Sequence, residues 1–412
     1  MFATAPLDPT RRRLLGAGAA LTASLVTGGT LAAPRPANAQ TGGGGTGRLV
    51  VVFLRGAADH LSITVPLDDA DYHDARPSIA IDADDTLPLD DRFGFHPALE
   101  RLHERYRAGR LAPVVAVGNP AADRSHFLAQ DLLERGSAGA DDDVVGGWLA
   151  RHLNLAGGSG AAGAVDGGLR AVTIGGNVDA SLLGFPALGM LSLDAFGLAG
   201  VGQAADALER TMLAAHGGDS TVDVAAQAAL DAARQVADLP ASTAGNPTTA
   251  AFADAVTLLD ADLGVEVITL NIDGWDTHDN MGTAETGQMR TLLTGLDDAV
   301  GGLLDGLDQR GLDDVTTLVV TEFGRRVTEN GSGGCDHGWA SAALVAGPAV
   351  DGGRVFGDWP GLSADVVGEA NGDVLLTTDY RQVYGELLTG VLGGDHAQVF
   401  PDLAARPLGL LR

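Results

Sequence analysis

The 412-residue chain contains no lysine, one cysteine (Cys335), and only four tryptophans and four tyrosines. A single thiol excludes an intramolecular disulfide framework and, without a CxxC pair, a zinc-ribbon site. All 26 basic residues are arginines, and they face 54 acidic ones, a net charge of −28. That balance excludes a nucleic-acid partner, whose phosphates require a basic footprint. Acidity of this kind keeps a chain soluble and says little about its fold. With 45% hydrophobic residues there is enough apolar material for one large core or two ordinary ones.

Long apolar runs are also scarce. The N-terminal one opens with Thr10-Arg11-Arg12-Arg13-Leu14-Leu15-Gly16, continues to about Ala33, and is broken by Thr, Ser and Gly. Ala37-Asn38-Ala39 supplies small residues at a cleavage position. The expectation is a twin-arginine signal peptide over 1–39 and export to the periplasm, cell envelope or exterior. Membrane contact is then confined to that segment if it stays uncleaved. A Gly-rich spacer follows at 40–47, and 48–412 reads as one α/β domain.

Within that domain, Arg48–Leu54 and Leu111–Val117 are continuous apolar runs, the pattern of strands covered on both faces. Further strands are expected at Leu169–Ile174, Glu266–Ile272, Val315–Thr321 and Ala342–Val345, with helices at 96–109 and 125–135. Met289, Leu292, Leu293, Leu296, Val300, Leu303, Leu304 and Leu307 recur at three- and four-residue steps and predict a long helix ending at Gly311. Strands alternating with helices imply a doubly wound, mostly parallel sheet flanked by helices. The Ala/Gly-rich stretch 138–249 reads as a helical insertion or cap.

Carboxylates and imidazoles past strand ends, where open α/β sheets bind ligands, are the chemistry-bearing residues. Gly274-Trp275-Asp276-Thr277-His278 and Gly334-Cys335-Asp336-His337-Gly338 each set Asp beside His in a glycine-lined loop after an apolar run. Glu322 follows the Val315–Thr321 run directly, where a carboxylate is costly unless it is paired with Arg325 or Arg326 or binds a metal. Asp59 follows the first strand, as a turn cap or a ligand. Ser125, with Arg124 beside it and His126 after it, opens a helix whose positive end suits a nucleophile or a bound anion. Asp59, Asp276, His278, Glu322, His337, Asp336 and His126 are thus candidate metal ligands, and Ser125 and Arg124 candidate catalytic residues. Oxygen and nitrogen donors of this kind suit Zn, Mg, Ca or Mn. No nucleotide cofactor is expected.

Several of these segments together resemble a known family: Leu49–Ser62, Ala75-Arg76-Pro77, Asp123–Asp131, Gly274–His278, Thr321–Arg325, Gly333–Gly338, Gly357–Leu362 and Thr378–Gln382. The set is similar to the twin-arginine-exported "domain of unknown function" family numbered 1501, a distant branch of the alkaline phosphatase and sulfatase superfamily. The resemblance implies an alkaline-phosphatase-like fold. It implies Asp59, Asp276, His278 and His337 as metal ligands and Ser125 as the hydroxyl nucleophile. Where the superfamily pattern places an adjacent Asp-His, this chain has Glu322-Phe323, so one imidazole is missing; His126 and Asp336 are its candidate replacements. The surroundings of Ser125 and Cys335 lack the C/S-x-P-x-R arrangement of formylglycine sulfatases. The resulting expectation is a metal-dependent hydrolase of phosphate, phosphonate or sulfate esters, acting on a small-molecule or polymeric substrate. The alternative is a non-catalytic exported binding or envelope-assembly protein.

Overall fold

A computed structural model describes residues 47–121, 123–139, 144–156, 169–196 and 205–412. The signal peptide expected over 1–39 lies outside the described residues, as does the spacer apart from Gly47. The main strands are β1 (Arg48–Leu54), β2 (Leu111–Gly118), β3 (Ala171–Ile174), β4 (Leu188–Met190), β5 (Val267–Ile272), β6 (Val315–Thr321), β7 (Ser341–Ala346) and β8 (Thr378–Asp379). They form one sheet in the order β8-β2-β7-β6-β1-β5-β3-β4. Every pairing is parallel except those of β7, which runs antiparallel to both β2 and β6.

β1 shows why the sheet is wound on both faces. Val50, Val52 and Leu54 enter one apolar cluster, and Leu49, Val51 and Phe53 enter another. The strand alternates sides at every residue, so a run with no polar interruption requires a cover on each. The principal helices are α1 (Glu100–Arg107), α2 (His126–Arg135), α3 (Trp148–Ala156), α4 (Ala205–Ala215), α5 (Thr221–Val236), α6 (Pro247–Asp260), α7 (Gln288–Arg310) and α8 (Tyr380–Gly390). Helix α7 turns Met289, Leu293, Leu296, Val300, Leu303, Leu304 and Leu307 into the first cluster. On the other face, Trp148 and Leu149 of α3 pack with Tyr380, Val383 and Tyr384 of α8. Burying side chains of this size contributes about 1.5–3 kcal/mol each. Among the described residues no helix is long and apolar enough to cross a membrane.

Two local expectations change. Strands β3 and β4 lie within 138–249, so that part of the expected cap belongs to the sheet itself. The helix expected from His96 begins at Glu100, because the His96 ring accepts the Ala98 N–H at 3.0 Å and holds the preceding residues in a turn. A small antiparallel sheet of Thr64–Pro66, Leu87–Pro88 and Phe93–Phe95 was not signalled by periodicity. Asp379 caps α8 through the Arg381 N–H, 2.9 Å away.

Candidate metal and ester site

Five strands of the sheet deliver side chains to one edge. β1, β5 and β6 are neighbours, and their carboxyl ends lead into Gly56, Asp276 and Glu322 respectively. β2 ends at Gly118 and its loop reaches Ser125 and α2. Because β7 is antiparallel, its amino end lies at this same edge, and His337 precedes it by four residues.

The loops meet at very short range, and two glycines permit it. A Cβ on Gly334 would sit 2.3 Å from the His278 carbonyl carbon. At Gly56, φ is +116° and a Cβ would lie 2.6 Å from the Asp276 nitrogen. Arg325 then ties the loops together. Its fully buried guanidinium donates to the carbonyls of Ala57, Cys335, Gly56 and Trp275 and to Asp276 Oδ1, the last at 2.7 Å.

Three imidazoles converge on Asp276. His337 Nε2 is 3.1 Å from Asp276 Oδ1, His278 Nε2 is 3.0 Å from it and His126 Nε2 is 3.4 Å from it. His337 Nε2 is also 3.0 Å from the Nε2 of both His126 and His278. The donor atoms of His126, Asp276 and His337 all lie within 4.8 Å of one another. Donors bound at about 2.0–2.1 Å in a tetrahedron stand about 3.3 Å apart, close to these spacings.

The far side of each ring decides its tautomer. His126 Nδ1 is 2.8 Å from Glu322 Oε1, His337 Nδ1 is 2.9 Å from the Arg124 carbonyl, and His278 Nδ1 is 3.2 Å from Asp336 Oδ1. All three partners are acceptors, so each Nδ1 carries a hydrogen, and a ring without a second proton turns its Nε2 lone pair inward. Lone pairs facing each other at 3.0 Å repel unless a cation or a proton lies between them. Rings anchored outward in this way are the usual outer arrangement of metal-bound histidine.

Electrostatics agree with this arrangement. Burial alone would raise the Asp276 carboxyl, but the hydrogen bond and positive charge of Arg325 bring it down to about 2. Burial likewise opposes ionisation of Glu322, yet hydrogen bonds from His126, Gln130 and the Gly56 N–H lower it. His126 is raised by its hydrogen bond to Glu322, against burial. Asp336 is lowered by Asn330 and His278.

The structure separates the candidates suggested by sequence. His126, Asp276, His278 and His337 meet directly. Glu322 stands behind His126, with Oε1 also taken by Gln130 at 2.8 Å and Oε2 by the Thr321 hydroxyl at 3.0 Å, rather than pairing with Arg325 or Arg326. Asp336 holds His278 from outside. Asp59 is apart: Arg76 binds both its oxygens, at 2.6 and 2.8 Å, in a fully buried pair, and Ser62 adds a third bond. Ser125 is exposed at the start of α2 and its side chain makes no capping bond. Arg124 pairs with buried Asp373. Phe323, where the superfamily pattern has an imidazole, stacks on His126 with ring centres 4.9 Å apart.

Sequence reading missed Gln130 and Arg55. Gln130 lies one helical turn after His126, the i,i+4 spacing that puts both on one face, so its approach to Glu322 had a visible signal. Its carbonyl accepts from Arg55 at 3.2 Å, and Arg55 in turn binds Asn271, Glu134 and Asp179. Nothing in the local sequence joins those last residues.

A family model described as "protein of unknown function (DUF1501)" matches residues 198–410, more than half of the chain. The chain belongs to the DUF1501 family. Its matched region carries Asp276, His278, Glu322 and His337, while Ser125 and His126 precede it. No curated protein sequence matches the chain. Among solved structures, this DUF1501 chain is similar to Ps i-CgsB bound to k-i-k-neocarrahexaose, at 11% identity over 81% of this chain and 74% of the other, with a TM-score of 0.35. It is similar to alkaline phosphatase from the Antarctic bacterium TAB5, at 11% identity over 73% and 91%, with a TM-score of 0.33. It is also similar to the lipoteichoic acid synthase LtaP from Listeria monocytogenes, at 9% identity over 76% and 65%, with a TM-score of 0.35. At such scores these are likenesses of outline, and nothing about the chemistry of this chain is taken from them.

Proposed function

We propose that this DUF1501 protein is an exported, metal-dependent hydrolase of phosphate, phosphonate or sulfate esters. The observation that carries the reading is the set of three imidazoles whose Nδ1 atoms are anchored outward while their Nε2 atoms turn in on Asp276. His126, His337 and Asp276 would hold a divalent cation, with His278 adjoining. Such an ion polarises an ester oxygen and lowers the pKa of a neighbouring hydroxyl.

The chain's own groups complete the reaction. Ser125, adjacent to His126 and exposed, supplies the nucleophile: its Oγ bonds to phosphorus or sulfur as the bond to the departing alcohol breaks, and water then cleaves the serine ester. The first-turn N–H groups of α2 favour negative charge on the oxygens of the transferring group. Glu322 and the Arg124 carbonyl keep His126 and His337 in the required tautomers. Arg325 fixes the loops, so little reorganisation accompanies binding. The substrate is a small-molecule or polymeric ester in the periplasm, envelope or exterior, and export rests on the arginine-led N-terminal segment.

A non-catalytic exported binding or assembly protein is the second reading, favoured by Phe323 at the place of the missing imidazole. One experiment separates the two: metal analysis of the purified chain with ester hydrolysis compared between wild type and Ser125→Ala. Stoichiometric metal with turnover lost in the variant supports the hydrolase. A wild type that binds no metal and hydrolyses no ester sinks it.

A further inference from the structure

We propose that Gln130, held in place by Arg55, is a positioning residue of the cation site: it fixes the Glu322 carboxylate, which in turn aims the His126 ring. The proposal rests on the cation-binding reading above and adds to it two residues that touch neither the ion nor a substrate.

The hydrogen bonds run in one direction, and Arg55 sets it. A guanidinium has donors and no acceptor, so Arg55 Nη1 donates to Gln130 Oε1, 3.2 Å away, and the orientation of the amide is decided. The amide nitrogen is left to face Glu322 Oε1 at 2.8 Å and donates to it. The Gly56 N–H, from the residue after Arg55, donates to the same oxygen at 2.9 Å. An oxygen that accepts two N–H groups has no lone pair left to hold a proton. His126 Nδ1, 2.8 Å from that oxygen, is therefore the donor of their contact.

Arg55 is itself firmly placed. Its Nε donates to Asn271 Oδ1 at 2.7 Å, and its Nη2 to Glu134 Oε1 and Asp179 Oδ1, both at 3.1 Å. Its Cζ lies over the Phe53 ring, 4.5 Å from the centre. Glu134 and Asp179 are buried, and buried carboxylates of this kind hold the guanidinium that compensates them. His126, Gln130 and Glu134 follow one another at four-residue steps along α2, so all three share the helix face that meets Arg55 and Glu322.

Without Gln130 the carboxylate is held loosely. The partner of Oε2 is the Thr321 hydroxyl at 3.0 Å, which has one hydrogen and also faces the Leu54 carbonyl at 2.8 Å. The Gly56 N–H then remains as a single fixed donor besides His126 itself, and the carboxylate is free to turn about it. A role confined to holding α2 against the sheet differs in one respect: it does not pass through Glu322.

The test is a double-mutant cycle read by calorimetric titration of the purified full chain with Zn²⁺, with urea midpoints showing that each variant folds. Gln130→Met keeps the length of the side chain and removes both of its polar ends. It is expected to weaken Zn²⁺ binding about tenfold, the lower end of the range for outer partners of a bound histidine. In a Glu322→Met background the same substitution is expected to change affinity by no more than about twofold, because the residue through which it acts is gone. A second readout needs no metal. NMR of the metal-free chain should show the His126 Nδ1–H proton, assigned by its absence from His126→Ala, and should lose it to exchange with water in Gln130→Met. That readout decides where the double variant does not fold. A wild type that binds no Zn²⁺ defeats the cation reading and this proposal with it. Where the wild type binds Zn²⁺, the proposal alone is overturned by any of three results: unchanged affinity in Gln130→Met, an equal loss in both backgrounds, or a His126 proton equally protected with and without Gln130.

Discussion

The Nε2 atoms of His126 and His337 face each other across 3.0 Å, although the opposite nitrogen of each ring is already bonded to an acceptor. Two neutral imidazoles held this way cannot hydrogen-bond to each other. The arrangement is stable with a shared cation, or with one ring protonated, and the surrounding anchors set how strongly it is imposed.

Glu322 is the anchor of His126, so Glu322→Gln should weaken the cation site without dismantling it. Loss of an outer partner of a metal-bound histidine typically costs 10–100-fold in affinity. Calorimetric titration with Zn²⁺ is expected to show that drop, with the His126→Ala variant weaker still. Equal affinity in wild type and Glu322→Gln would remove Glu322 from the site.

Arg325 should not tolerate lysine. A compact ammonium cannot reproduce five donations in a fixed plane, and several buried carbonyls would lose their partner. Arg325→Lys is expected to cost about 1–3 kcal/mol of stability for each buried carbonyl left without its donor, read from urea unfolding midpoints. A midpoint within error of wild type would contradict the tying role.

Asp59 was a candidate ligand by sequence and is a buried partner of Arg76 in the structure. Asp59→Asn is therefore expected to destabilise the fold by about 3–5 kcal/mol while metal affinity, measured on the folded fraction, stays the same. A selective loss of metal binding at unchanged stability would return Asp59 to the site.

Acid should destabilise the chain before carboxylates begin to protonate. Burial pushes His60 down to about 4 and His96 down to about 4, and the His60 ring nitrogens have no hydrogen-bond partner among the described residues. The unfolded chain binds protons on these rings near pH 6.5, whereas the folded one waits until about 4. Stability thus falls as pH drops through that window, by up to about 1.4 kcal/mol per pH unit for each ring. The folded-state carboxyl of Asp59 is lowered despite its burial because Arg76 stabilises the charge, so its contribution is lost at still lower pH. Unfolding midpoints between pH 7 and 4 check this; a His60→Gln, His96→Gln chain should show a shallower decline.

The central strands were legible because their residues are apolar without interruption, a pattern that only a sheet covered on both faces satisfies. The Gly-lined positions of Asp276, His278 and His337 were legible for the same reason, since each follows or precedes such a run. Other features depend on partners far along the chain. Asp59 meets Arg76 only after the intervening turn folds back, and a lone acid past a strand looks the same whether it binds metal or arginine. Glu322 pointed to a pair with its near neighbours, but the i,i+4 face of α2 brings His126 and Gln130 to it instead. β3 was expected as a strand at Leu169–Ile174, but β4, three residues long, was too short for periodicity to distinguish a strand of the sheet from part of an insertion.

The knot at Arg325 has a consequence for descent. The loops are joined through main-chain carbonyls, whose presence does not depend on which side chains occupy the pocket. A side chain lining the pocket can therefore be exchanged for another without removing the bonds that hold the surrounding loops. Architecture and reactivity become separately heritable, and relatives that share this scaffold are free to differ in whether they cleave what they hold.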